Sequence, residues 1–166
     1  MIYPILKKHN ETLALGYAGA RIVESVLFIV NVIFILTLLT LSQEFVKAGA
    51  PDASYYLTLG TLLLAAGDWA FLFGFGLAFT LSALILNFLL YQSKLIPRWL
   101  SGWGFVGAAL LWAYYLLQFF GINQVEILFI PIAVQEMVFA VWLIVKGFNS
   151  SATASGSAKT ELNEIK

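Results

Sequence analysis

From Leu13 to Leu41 the chain meets charge only at Arg21 and Glu24; every other position in that stretch is uncharged. A hydrocarbon core of about 30 Å requires about 20 mostly apolar helical residues, and this run exceeds that. Three more such runs follow, one ending at Tyr91, one from about Leu100 to Phe120 and one from about Ile127 to Val145. Strands of a membrane barrel would alternate in segments of about 10 residues. Stretches such as IVNVIFILTLLTL and FLFGFGLAFTLSALILNFLL do not alternate. The expected fold is therefore all-α, a polytopic transmembrane helical bundle of four spans.

Composition supports lipid as the solvent. The chain has 166 residues, 61% hydrophobic and 11% charged, against about 45–50% and about 25% in an ordinary soluble domain. At this length a soluble fold buries only about 70% of its unfolded surface, so the surplus would face water as large patches. Nine Lys and Arg against nine Asp and Glu leave no net charge to attract nucleic acid. There is no cysteine and one histidine, His9. A disulfide framework, a thiol nucleophile and any site needing two imidazoles are excluded, and neither a cofactor nor a bound metal is expected.

The second apolar segment is too long for one upright crossing. We expect an outer interfacial helix near residues 55–66 and a true crossing from about Trp69 to Tyr91, or else a strong tilt. Gly67, Gly74 and Gly76 offer places to bend. Orientation follows from Lys and Arg near the span ends. Lys7, Lys8, Lys94, Arg98, Lys146, Lys159 and Lys166 fall on one side, and the other side has only Lys47. Both termini are thus predicted cytoplasmic, in the cell membrane. Residues 1–12 form a cytoplasmic segment, 13–148 the four-helix transmembrane domain, and 149–166 a disordered cytoplasmic tail rich in Ser, Ala and Thr. Trp99, Trp103 and Trp142 fall near the inner interface, and Trp69, Tyr55 and Tyr56 near the outer one.

The informative residues are the polar groups inside the apolar runs. A central Arg or Asp costs about 2.5–3.5 kcal/mol on insertion scales, so such groups turn inward and find partners. Arg21 and Glu24 are three apart, on one helix face, and Tyr17 and Asn31 continue that face. With Glu136 of the fourth span they make a buried polar cluster of Arg21, Glu24, Asn31 and Glu136. One cation cannot neutralise both carboxylates, so one acid takes a proton or a cation, or the cluster is an Arg–Glu clamp that fixes packing. Asp68 and Trp69 are a candidate outer gate. Pro131, inside the fourth run, is expected to kink that helix.

Other signals have plainer readings. Gly102 to Gly107 spell GxGxxG, but no strand precedes them, and Gly104 with Ala108, like Gly16 with Ala20, suits close helix packing. The sequons at Asn10 and Asn149 fall on the predicted cytoplasmic side. His9, beside Lys7 and Lys8, reads as a solvated flank.

The phrases YPILKKHNETLALGY, RIVES, LTLSQEFVKAGAPDASYY, LGTLLLAAGDWAF, LLYQSKLIPRWLSGWGFVGA and PIAVQEMVFAVWLIVKGFN resemble the bacterial and archaeal membrane proteins of domain-of-unknown-function family 4386. The resemblance implies a multi-pass protein of the prokaryotic cytoplasmic membrane and brings no catalytic residues. It also implies that the usual N-terminal helices are lacking, so that inward faces meet another copy, making a homo-oligomer, or meet membrane lipid.

Three functional readings follow. The first is a non-enzymatic structural, accessory or sensory bundle. The second is a proton- or cation-coupled carrier or channel, or a site for a small molecule, using Glu24 and Glu136 with Arg21. The weakest is a lipid-modifying intramembrane enzyme, since only carboxylates could supply its acid–base chemistry. The charge pattern makes one outcome checkable at once: a reporter active only in the cytoplasm, fused after Asn149, is expected to be active, and activity of an externally folding reporter there would reverse the topology.

Overall fold

The computed structural model describes residues 2–50, 55–122, 126–149 and 151, so the tail expected at 149–166 lies outside them except at 149 and 151. All the described elements are helical. Four helices are long and apolar enough to cross a membrane: Glu11–Lys47, Tyr55–Ser93, Arg98–Phe119 and Ile127–Val145.

A short helix, α1 (Tyr3–Lys7), leads to Asn10, which leaves the helical track at φ −157° and ψ 107°. Its Oδ1 accepts a hydrogen bond from the Leu13 N–H at 3.0 Å, so Asn10 caps the long helix α2 (Glu11–Lys47). Glu11 in the first turn and Lys47 in the last complement the helix dipole. With 37 residues, α2 is about 55 Å long.

The second long helix is uninterrupted: α3 (Tyr55–Phe71) passes into a π-helical segment, Leu72–Phe79, and then α4 (Thr80–Ser93). Glycines set its register against α2. Gly60 faces Leu38 and Leu41, Gly67 faces Asn31 and Phe34, Gly74 faces Leu27, and Gly16 of α2 faces Ile85. The two helices therefore run antiparallel in step along their whole length. This pairing explains why residues 55–66 form no separate helix: Gly60 and Gly67 let them lie against α2 in continuity with the crossing that follows.

The irregularity falls instead at the expected bend residues Gly74 and Gly76. A Cβ on Gly74 would stand 2.9 Å from Leu27 Cβ, and one on Gly76 would stand 2.9 Å from the Tyr115 ring. The chain thus touches α2 and the next helix almost at the same level, and the wider π turn lies where both approaches occur. Thr80 Oγ1 donates to the Gly76 carbonyl and, at 3.1 Å, to that of Leu77, and Ser82 Oγ donates to that of Phe79 at 2.8 Å. These hydroxyls reinforce the irregular stretch from within, as a membrane segment requires.

Lys94 ends α4 in the left-handed conformation, φ 56° and ψ 25°, a place where glycine is usual. Leu95 and Ile96 are buried, Pro97 opens α5 (Arg98–Phe119), and α5 returns along the second helix from Tyr91 beside Gly102 to Trp69 beside Phe119. Beyond that level Tyr55–Phe71 packs chiefly on α2, so the distal halves of the two long helices stand clear as an apolar hairpin.

A 3-10 turn (Glu126–Phe129) leads into α6 (Ile130–Val145). Pro131 lies in the first turn of α6. The kink expected inside the span is therefore a helix start, where the missing proline N–H costs nothing because that donor has no intrahelical partner. α6 packs closely on α5: a Cβ on Gly107 would stand 3.1 Å from the backbone N and Cα of Ile132.

Two apolar clusters hold the bundle. One, at the end carrying α1 and the α4–α5 turn, includes Leu6, Ala14, Leu89, Leu90, Leu95, Ile96 and Leu100. The other includes Leu72, Phe79, Ala83, Ala108, Leu111, Tyr115 and Ile132. The α5–α6 contact gives a direct test. Gly107→Val is expected to destabilise the protein in detergent by about 1–3 kcal/mol through overpacking. Gly102→Val should be tolerated, because its nearest neighbour, the Tyr91 ring, is 3.9 Å from the Cβ position. Thermal unfolding of the two variants checks this.

Candidate functional site

Between the two apolar clusters three of the four spans contribute polar groups: Tyr17, Arg21 and Glu24 from α2, Ser82 and Asn87 from α4, and Gln135 and Glu136 from α6. α5 contributes Gly104, whose missing side chain leaves the room. A Cβ there would stand 2.1 Å from Asn87 Oδ1 and 2.7 Å from Gln135 Nε2. Gly104 is about 9 Å along α5 from Arg98, so the layer lies nearer the basic end.

Arg21 is held on three sides. One guanidinium nitrogen, Nη1, donates to both Glu24 oxygens, at 2.9 Å and 2.8 Å. The guanidinium carbon stands 5.9 Å from the Tyr17 ring centroid and 5.6 Å from that of Phe79. Such ring faces attract a cation electrostatically, more so where water is excluded. The Glu24 side chain retains only 15% of its exposure, against 42% for Arg21.

A cavity of about 180 Å³ opens beside this pair, lined by Arg21, Ser82, Asn87, Gln135 and Glu136 among others. Asn87 and Gln135 are buried, and each amide nitrogen donates to a backbone carbonyl, Ala83 at 2.9 Å and Leu100 at 3.4 Å. Glu136 is exposed on the cavity's lining, and the ion pairs among the described residues do not include it. The layer thus holds one paired cation, one paired acid and one exposed acid outside the ion pairs of the described residues.

Arg21 and Glu24 pair as their spacing suggested, and Glu136 lines the cavity beside Arg21. Asn31 does not join them; its Nδ2 donates to the Gly67 carbonyl at 2.8 Å, tying the two long helices at the root of the hairpin. Asp68, next to that carbonyl, is exposed, and Trp69 packs on Phe119 at 5.8 Å and Phe73 at 6.4 Å. Pro131 stands at the head of α6, one turn before Gln135. Sequence reasoning missed Ser82, Asn87 and Gln135, because neutral amides and hydroxyls carry no charge signal. An Asn flanked by apolar residues, and a Gln beside Glu136 inside an apolar run, were the available clue.

The pairing of Arg21 with Glu24 predicts a non-additive mutational response. Glu24→Met leaves the Arg21 cation unpaired within the spans and is expected to lower thermal stability more than Arg21→Met/Glu24→Met, which removes both charges. Equal losses in detergent unfolding would show that the pair is solvated.

Against known proteins, the family model described as "Domain of unknown function (DUF4386)" matches residues 1–147. No curated protein and no solved structure matches the chain.

Proposed function

The chain belongs to the DUF4386 family, and from that premise we propose that it is a non-enzymatic protein of the prokaryotic cytoplasmic membrane whose polar layer binds a proton or small cation at Glu136. The observation that carries the reading is the cavity itself, with Glu136 open and Arg21 already held by Glu24. A layer serving only to clamp helices would have its acids paired and its space filled. Here the second carboxylate faces room for water or a cation, with the Ser82 and Asn87 side chains around it. An ionisable group inside the membrane is by default a functional candidate.

Both termini are cytoplasmic in this reading. Lys94, Arg98 and Lys146 gather around one groove, at the end where α1 brings Lys7, and Lys47 lies at the far end of α2. The surrounding partner is membrane lipid, and a sensory or accessory role follows if binding only shifts packing. A carrier is the second reading, and the π-helical segment favours it. Phe79, which lines the cavity, closes that segment, and π turns inside helices are frequent at functional sites.

Thermal unfolding of purified protein, titrated with monovalent and divalent cations and with pH, tests the site. The wild type is expected to shift its midpoint with one of these, and Glu136→Gln is expected to lose that response while remaining folded. Identical profiles for the two would make Glu136 a packing residue. Proteoliposomes loaded with a pH-sensitive dye separate the two roles: flux abolished by Glu136→Gln marks a carrier, and binding without flux marks a sensor.

A further inference from the structure

We propose that the basic end of the bundle holds an anionic phospholipid, with its phosphate in a cationic groove and an acyl chain along α6. The groove, about 470 Å³, lies between the α4–α5 turn and the end of α6 and is lined by Lys94, Arg98, Lys146, Trp142 and Phe148. This volume is in the range of small-ligand sites. The ion pairs among the described residues are Lys7 with Glu11, Arg21 with Glu24 and Lys47 with Glu44, and none of the groove's three cations belongs to them. The backbone that carries these cations is fixed at two points. Lys94 is set by its left-handed turn, and the Asn149 N–H donates to the Leu95 carbonyl at 2.9 Å across the same wall.

Two further features suit a phosphate at headgroup depth. The 22-residue α5 begins here at Pro97 with no side-chain cap, so its N-terminal end presents positive potential to the groove. Trp99 and Trp142 meet edge to face at 6.4 Å, and indoles are characteristic of that depth. The Arg98 guanidinium stands 5.3 Å from the Tyr91 ring centroid, which orients it.

A second groove decides between a lipid and a free anion. About 390 Å³ in volume, it runs along Met137, Val141 and Val145 and shares Trp142 and Lys146 with the first. Those three apolar side chains are 73%, 60% and 70% exposed. A soluble phosphate has no use for this surface. An amphiphile with a charged head and an apolar tail fits both grooves at once, as basic pockets between membrane helices do for anionic lipids.

Lipid retention by the purified full chain in neutral detergent, measured by native mass spectrometry, tests the assignment. Wild type is expected to retain phosphatidylglycerol about tenfold over phosphatidylcholine of the same chains, and Lys94→Gln/Lys146→Gln to lose that preference. Lys7→Gln/Lys8→Gln, which removes as much charge from the same end, is expected to keep it. Quenching of wild-type tryptophan fluorescence should likewise be stronger with brominated phosphatidylglycerol than with brominated phosphatidylcholine, a result that depends on no variant. The proposal is overturned by equal retention of the two lipids, by equal loss in both double variants, by equal quenching, or by displacement of the lipid with excess inorganic phosphate.

Discussion

Hydrocarbon offers no hydrogen bonds, so each polar atom carried into the membrane has to be met by the protein itself. Helices answer this for the backbone. For side chains, the answer depends on the layer between the two apolar clusters, and above all on Arg21. Its bond to both oxygens of Glu24 and its seat between Tyr17 and Phe79 hold a permanent cation in α2, half-buried and charge-paired. Once Arg21 is held, the layer's other members are constrained around it. Gly104 must lack a side chain for Asn87 and Gln135 to converge, and Glu136 is left as the open acid.

The same constraint governs the long hairpin. α5, with 22 residues, is about 33 Å long, matching the hydrocarbon core, whereas α2 is nearly twice that thickness. The apolar stretch Leu13–Leu41 spans about 43 Å, which a tilt of about 40°, the upper end of the usual range, reduces to about 33 Å along the membrane normal. Leu36, Leu39, Leu57, Leu62 and Leu64 are each more than half exposed on the hairpin, as suits side chains that face lipid. Asn31, bonded to the Gly67 carbonyl at the hairpin's root, supplies the polar tie between its two helices.

Much of this was legible in the residues. Four apolar runs mark four helices because their period and length leave little alternative, and Arg21 with Glu24 announces a pair because three residues apart means one helix face. Other features depend on tertiary contacts that local pattern does not encode. Asn31 shares the face of Arg21, yet its partner is a carbonyl 36 residues away. Pro131 lies in an apolar run that reads as one span, but a 3-10 turn precedes it and makes it a helix start. The continuity of residues 55–66 with the crossing depends on Gly60 and Gly67 fitting against α2, a pairing visible only in three dimensions.

The account stands or falls on whether the polar layer is wet. The chain has no cysteine, so a single one reports its own surroundings. Leu86, half-buried on the cavity's lining, and Ala108, buried in the neighbouring apolar cluster, make the comparison. In reconstituted vesicles Leu86→Cys is expected to react with a water-borne thiol reagent and Ala108→Cys to stay inert. Equal inertness of the two, in proteins shown to be folded, would contradict a ligand cavity at Glu136.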